Sequence, residues 1–271
     1  MTAPELVELA PNRFSIEDVE AAERRARWRF RILFALTWVA LVGLIGFGLA
    51  LSGNVDPSFI ADQAPYILGG APLTILVCVS SIVLATTLAT IGALGRLSGN
   101  PIPNAVASLY VSLVRGTPLI VQIYFIYFAL PQLGIILAAI PSGIVALGFN
   151  YGAYMTEIFR AGIQAVPRGQ REAARALGMP EPSVFRRIVL PQAFRIVTPA
   201  IGNEFIAMIK DSALVSLLGI QELLWRSEKL GTRFFRFTET ILIAALVYWI
   251  LTIFFSFFQE RLERRMAQGD R

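Results

Sequence analysis

Along this chain, long apolar stretches alternate with short polar ones at a spacing that fits helices crossing a bilayer. Residues 32–51 carry no charge, and neither do residues 69–95 or 116–153. A helix needs about 20 predominantly apolar residues in a row to span the hydrocarbon core. Six spans are the most economical division: residues 32–51, 69–94, 111–130, 142–163, 196–218 and 240–258. The expected fold class is therefore an all-α integral membrane protein with six transmembrane helices. Between the second and third spans Pro101 and Pro103 interrupt the pattern, so residues 100–112 read as a break that includes a short interfacial helix.

Polar positions inside the spans fall into stripes. In the fourth span Asn150, Tyr154 and Glu157 recur at helical spacing on one face. In the fifth, Asn203 shares a face with Lys210, and Glu204 with Asp211. A charge at the bilayer centre costs about 2.5–3.5 kcal/mol on insertion scales, so such residues face a polar path or pair with one another. Pairing of Glu157 with Arg160, or of Glu204 with Lys210 of a partner, would simply hold helices together. As a group, these positions favour a polar cavity. Gly148 and Gly152 form a small-residue pair that permits close helix contact without naming the neighbour.

Charge placement sets the expected orientation. Arg24, Arg25, Arg27, Arg29 and Arg31 precede the first span, which places the N-terminus on the cytoplasmic side. Six crossings return the C-terminus there, with Arg261, Arg264 and Arg265. Arg96 and the arginines between the fourth and fifth spans fall on that side too, while residues 52–68 and 131–141 contain no Lys or Arg. Only residues 219–239 dissent, with Arg226, Lys229, Arg233 and Arg236 beside Glu222, Glu228 and Glu239.

Composition agrees: 55% of residues are hydrophobic and 16% charged, against roughly 25% charged in soluble domains. The net charge of +5 sits beside apolar segments, so no nucleic-acid partner is expected. With no histidine, a Ser–His–Asp triad and His metal sites are excluded. Cys78, the single cysteine, lies in an apolar run and reads as a packing residue. The polar N-terminus followed by a long apolar segment reads as a retained helix rather than a cleaved signal.

The most distinctive segment is a charged, Gly- and Pro-punctuated stretch, REAARALGMPEPSVFRRIVLP, beginning at Arg171. Residues 172–177 suit a short helix that Gly178 ends, Pro182 suits the first turn of a second helix over 183–190, and Pro191 is expected to stop it. A helix–turn–helix on the cytoplasmic side reads as a docking site for a soluble protein, or as a long loop held by its own contacts.

Here the residues resemble a known family. Glu172, Ala173, Ala174, Gly178, Ile188, Leu190 and Pro191 occupy every position of the E-A-A-x3-G-x9-I-x-L-P signature of ABC importer permease subunits. RGTPL from Arg115, AYMTEIFRAGIQAVPRGQ from Ala153, GNEF from Gly202 and KDSALVS from Lys210 are similar to the polar amino acid branch. The likeness covers roughly residues 65–260. It departs where Ser212 and Ala213 replace the usual Thr and Ser, and where Pro180 replaces a capping hydroxyl residue.

The resemblance implies a permease domain over residues 65–260 with a coupling loop at 164–191. Around it lie a cytoplasmic tail over 1–31, an added first helix and outer loop over 32–60, and a cytoplasmic tail over 261–271. It further implies an inner-membrane subunit that pairs with itself or a paralogous permease. Cytoplasmic ATPase subunits would dock on the coupling loop, and an extracytoplasmic binding protein would deliver a polar amino acid. This chain has no GxxxxGK[ST] loop, so it should bind no cofactor, with ATP and Mg on the partner. Asn150, Tyr154, Glu157, Asn203, Glu204, Lys210 and Asp211 are then expected along the substrate path, offering acceptors for an ammonium and donors for a carboxylate. An ion-coupled secondary transporter using Glu157, Glu204 and Asp211 is the alternative, a non-transporting scaffold a third, and an enzyme the least expected.

Overall fold

The computed structural model describes residues 16–51, 53 and 55–267, and is helical throughout those residues apart from short connections. The chain divides into a unit ending at Asp56 and a second from Pro57 onward. The described part of the first is one helix, α1 (Ile16–Leu51), and non-helical residues 53, 55 and 56. The expected tail over 1–31 is therefore helical from Ile16, with i,i+4 ion pairs Glu20–Arg24 and Glu23–Arg27 along it. Residues 1–15 and 268–271 lie outside the described residues, and what was expected to be a C-terminal tail continues as helix to Ala267.

In the second unit the order is α2 (Pro57–Leu68), α3 (Ala71–Leu97), α4 (Pro101–Arg115), α5 (Leu119–Tyr124), α6 (Ala139–Ala165), α7 (Arg168–Ala176), α8 (Glu181–Val184), α9 (Leu190–Asp211), α10 (Leu223–Phe234) and α11 (Phe237–Ala267). Among the described residues Glu20–Leu51, Pro57–Leu97 and Phe237–Met266 are long and apolar enough to cross a membrane. A fourth stretch, Pro101–Arg115 with Leu119–Leu133, passes only as a pair bent by 107°. The third expected span, 111–130, is thus cut by that bend, because Pro118 has no N–H to continue α4 and sits in extended backbone.

The core forms where α3 packs along α6. Val77, Cys78, Ala85 and Ala89 of α3 meet Ala146, Leu147, Tyr151 and Met155 of α6, closed off by Met208 and Ile209 of α9. Small residues make the approach possible. A Cβ on Gly148 would lie 2.7 Å from Leu84 Cδ2, and one on Gly152 2.7 Å from Tyr110 Oη. The pair that named no neighbour in the sequence therefore packs on α3 and α4.

Two further departures reshape the picture. Pro191 does not end a helix: α8 runs through a π-turn at Phe185–Val189 directly into α9. The wider turn accommodates the ring and missing N–H of Pro191, so residues 181–211 form one unbroken helical stretch, with Pro199 inside it. Residues 219–239 are not a simple loop either. They contain α10, whose Leu223 and Leu230 pack with Ile67 of α2 and Ile243, Ala244 and Val247 of α11. Glu222 is buried and caps α10, accepting from Trp225 N at 2.8 Å, so it is not a loop charge.

Candidate functional site

Two regions hold the residues singled out above. The first is α7 and the turn after it. Helix α7 ends in a Schellman arrangement: Met179 N donates to Ala174 O at 3.1 Å and Gly178 N to Arg175 O at 2.9 Å, with Gly178 at φ +77°. Pro180 then takes the capping role by its carbonyl, accepting from Ser183 N at 2.8 Å and Val184 N at 3.1 Å. The missing hydroxyl cap at Pro180 is thus replaced by backbone. Across the turn Arg175 Nε donates to Glu181 Oε1 at 2.5 Å. That hydrogen bond and the guanidinium charge hold the Glu181 carboxyl below its ordinary range.

This turn is anchored from beneath. Val166, Val189 and Ala193 form a small core with Ile163 and Phe185 packed on it. Arg171 donates to the Ile163 carbonyl at the end of α6, and Gln192 of α9 donates to Gln170 at 2.5 Å. Glu172, Ala173 and Gly178 stay exposed, as do Leu190 and Pro191; Ile188 is partly buried. Ala174 is buried, so it packs inward and supports the helix instead of presenting itself outward. Leu177, which the signature does not include, stands 83% exposed at the corner. Its signal was available: an apolar residue at the end of a polar helix.

The second region is the set of polar residues on α6 and α9. On α6 each member of the stripe meets a different neighbour. Asn150 donates to Gln122 Oε1 at 3.2 Å. Tyr154 lies under the Arg115 guanidinium, 5.2 Å from the ring centroid. Glu157 binds Arg96 Nε at 3.2 Å and Arg160 Nη2 at 2.7 Å, which is the helix-holding geometry weighed against a substrate contact. Arg96 also donates to Ser108, so this cluster ties α3, α4 and α6 together.

On α9, Asn203 accepts from Gln259 of α11 at 2.8 Å. Asp211 accepts from the Tyr151 hydroxyl at 2.8 Å. Glu204 is partly buried and Lys210 exposed, and neither has an ion-pair partner among the described residues. Tyr151 was missed by the sequence reading, since its position one residue past Asn150 put it off the stripe. Among these groups the structure joins Tyr151 to Asp211, a hydroxyl donor on a carboxylate that links α6 to α9. The cavity of about 470 Å³ in the crook of α4 and α5 is different in kind, lined mainly by apolar groups such as Leu113, Val121 and Phe125, with Thr117 and Gln122 among them.

Gln122 also was missed. Its amide lies 2.8 Å from Val114 O, 3.1 Å from Thr117 O and 2.9 Å from Thr117 Oγ1. It occupies the acceptors freed where α4 stops, and so fixes the bend. A polar residue in a charge-free apolar stretch must find such partners.

The described residues thus form a helical bundle that carries the signature turn after α7 and ionisable groups on α6 and α9, with stretches long and apolar enough to cross a membrane. The chain belongs to the family described as binding-protein-dependent transport system inner membrane component, which matches residues 82–268. It is 37% identical over 218 residues to the arginine transport system permease protein ArtQ of Bacillus subtilis, covering 80% of this chain and 100% of that one. Identity to the L-cystine transport system permease protein TcyB of the same organism is 39%, covering 79% and 93%. A crystal structure of an amino acid ABC transporter with histidines superposes with a TM-score of 0.74 at 37% identity, covering 78% and 99% of the two chains. The chain is therefore a permease subunit of an ABC importer, and the ion-coupled alternative is set aside.

Proposed function

We propose that this chain carries a polar amino acid across the bacterial inner membrane within an ATP-driven importer, with both its termini cytoplasmic. Its helices make six crossings, counting α1 and the bent α4–α5 pair. Two permease chains, alike or paralogous, form the membrane body. Cytoplasmic ATPase subunits grip the exposed residues Glu172, Ala173, Gly178, Leu190 and Pro191, supported from beneath by Ala174 and Ile188. ATP and Mg sit on those partners, and an extracytoplasmic binding protein delivers the solute.

The observation that carries this reading is the unbroken helical stretch from Glu181 to Asp211. Closure of the ATPases would push on α7 and its turn. That displacement would pass along this helical stretch to Asn203, Glu204, Lys210 and Asp211 at its far end, and to Tyr151 on α6. Asn150, Tyr154 and Glu157 would set the opposite wall by holding α6 against α3, α4 and α5. A two-state rearrangement biased by ATP and loaded binding protein is the physical requirement. The names of the relatives, arginine and L-cystine transport among them, favour an amino acid as the solute.

The test is uptake into proteoliposomes containing the permease with its ATPase. Uptake of a labelled amino acid should need both internal ATP and external binding protein. Uptake driven by an ion gradient alone would overturn the proposal.

A further inference from the structure

Helix α1 lies outside the family match, which begins at residue 82. Within it Arg24, Arg25, Arg27, Arg29 and Arg31 fall in eight residues that contain no acid. Arg24 and Arg27 pair with Glu20 and Glu23 one turn back. Arg25, Arg29 and Arg31 are exposed and form no ion pair among the described residues.

Helix geometry says how these charges are arranged. At about 100° per residue, Arg24, Arg27 and Arg31 fall within about 60° of one another, and Arg25 and Arg29 lie on the adjoining face. The five together cover about 200° of the circumference. A docking face for a protein occupies one side of a helix; these charges form a partial collar over more than half of its circumference. The charge-free residues 32–51 follow at once, about 30 Å of helix at 1.5 Å per residue, which matches the hydrocarbon core. The collar therefore falls in the band of about 10 Å next to that core, at the depth of lipid headgroups. Trp28 and Phe30, both exposed, interleave with the arginines at the same level, where aromatic rings favour the interface. Orientation depends on the Lys/Arg count on each side and not on where the charges sit around the helix, whereas their angular spread fits several surrounding anions.

We propose that the collar Arg24–Arg31 of α1 is a binding site for anionic phospholipid headgroups, which gather around this helix in preference to zwitterionic lipid. Basic residues next to a membrane helix gain about 1 kcal/mol each from an anionic surface, roughly a fivefold enrichment per unpaired arginine. The attraction decays within a Debye length, so it weakens as salt rises.

Trp28 provides the reporter. The full-length protein, with Trp38, Trp225 and Trp249 changed to Phe, is placed in phosphatidylcholine vesicles. These carry a minor fraction of either brominated phosphatidylglycerol or brominated phosphatidylcholine. Trp28 should be quenched several-fold more by the anionic probe, with the excess shrinking in high salt. Changing Arg25, Arg29 and Arg31 together to Lys should keep the excess, and changing them to Gln should abolish it. Equal quenching by the two probes, or a Lys variant that behaves like the Gln variant, would overturn the proposal. Should the Gln variant fail to insert, the salt titration of the unsubstituted arginines decides, and an excess insensitive to salt overturns it.

Discussion

Removing the Glu222 carboxylate should loosen the far end of the bundle. Glu222 has no exposed surface. One oxygen caps α10 through Trp225 N at 2.8 Å; the other accepts from the Tyr248 hydroxyl of α11 at 2.5 Å and lies 3.5 Å from Thr74 Oγ1 of α3. No cationic side chain pairs with it among the described residues. The backbone of Glu222 and Leu223 comes so close to α3 that a Cβ on Gly70 would sit 2.7 Å from Leu223 N. Glu222→Ala loses the cap, worth about 1 kcal/mol. It also strands the Tyr248 hydroxyl in a buried place, at about 1–3 kcal/mol. The expected loss is about 2–4 kcal/mol of unfolding free energy. Glu222→Gln keeps an acceptor for Trp225 and should lose about 1 kcal/mol, the net worth of one hydrogen bond, and Tyr248→Phe should fall between the two. Equilibrium unfolding in mixed detergent micelles measures all three, with a double-mutant cycle for the Glu222–Tyr248 pair. An alanine variant as stable as the original, or no coupling between the two residues, would refute the reasoning.

Other consequences follow from the same contacts. Tyr151→Phe removes the donor to Asp211 and should reduce amino acid uptake severalfold while leaving assembly intact; unchanged uptake would remove Tyr151 from the path. Gln122→Ala strands the Val114 and Thr117 carbonyls at the bend and should cost about 1–3 kcal/mol of stability, readable as a lower unfolding midpoint. The Arg175–Glu181 link depends on a carboxyl whose pKa is depressed in the folded chain. Its contribution is therefore complete above the ordinary carboxylate value and is lost as pH falls through the depressed one. Infrared titration should find Glu181 protonating below a free glutamate, and Arg175→Ala should return it to the ordinary range.

Much of the architecture was readable because bilayer crossing imposes long apolar runs. The runs at 32–51, 69–94 and 240–258 all fall on helices of the structure. The failures share a cause: prolines and charges were read locally. Pro191 looked like a stop, yet a π-turn absorbs it and lets α8 continue into α9. Glu222 looked like an outer-loop charge, yet its neighbours Thr74 and Tyr248 are 148 and 26 residues away. The α6 stripe was visible from its spacing, but periodicity cannot say that Asn150, Tyr154 and Glu157 each meet a different helix. The signature over 172–191 was legible letter by letter. That Ala174 points inward and Leu177 outward depends on packing against α6 and α9, which no spacing encodes.

The central claim is that the turn at Gly178 receives an ATPase and passes its closure along residues 181–211. Gly178 has φ +77°, and open space surrounds the position of its Cβ. Gly178→Arg therefore places a bulky charge on the outer corner, with a backbone penalty of about 1–2 kcal/mol, while the membrane helices should still insert. The direct measurement is ATPase activity of the reconstituted complex, with and without loaded binding protein. The variant should lose the ATPase subunit or its stimulation while the permease remains folded in the membrane. Full stimulation and coupled uptake by Gly178→Arg would contradict the account.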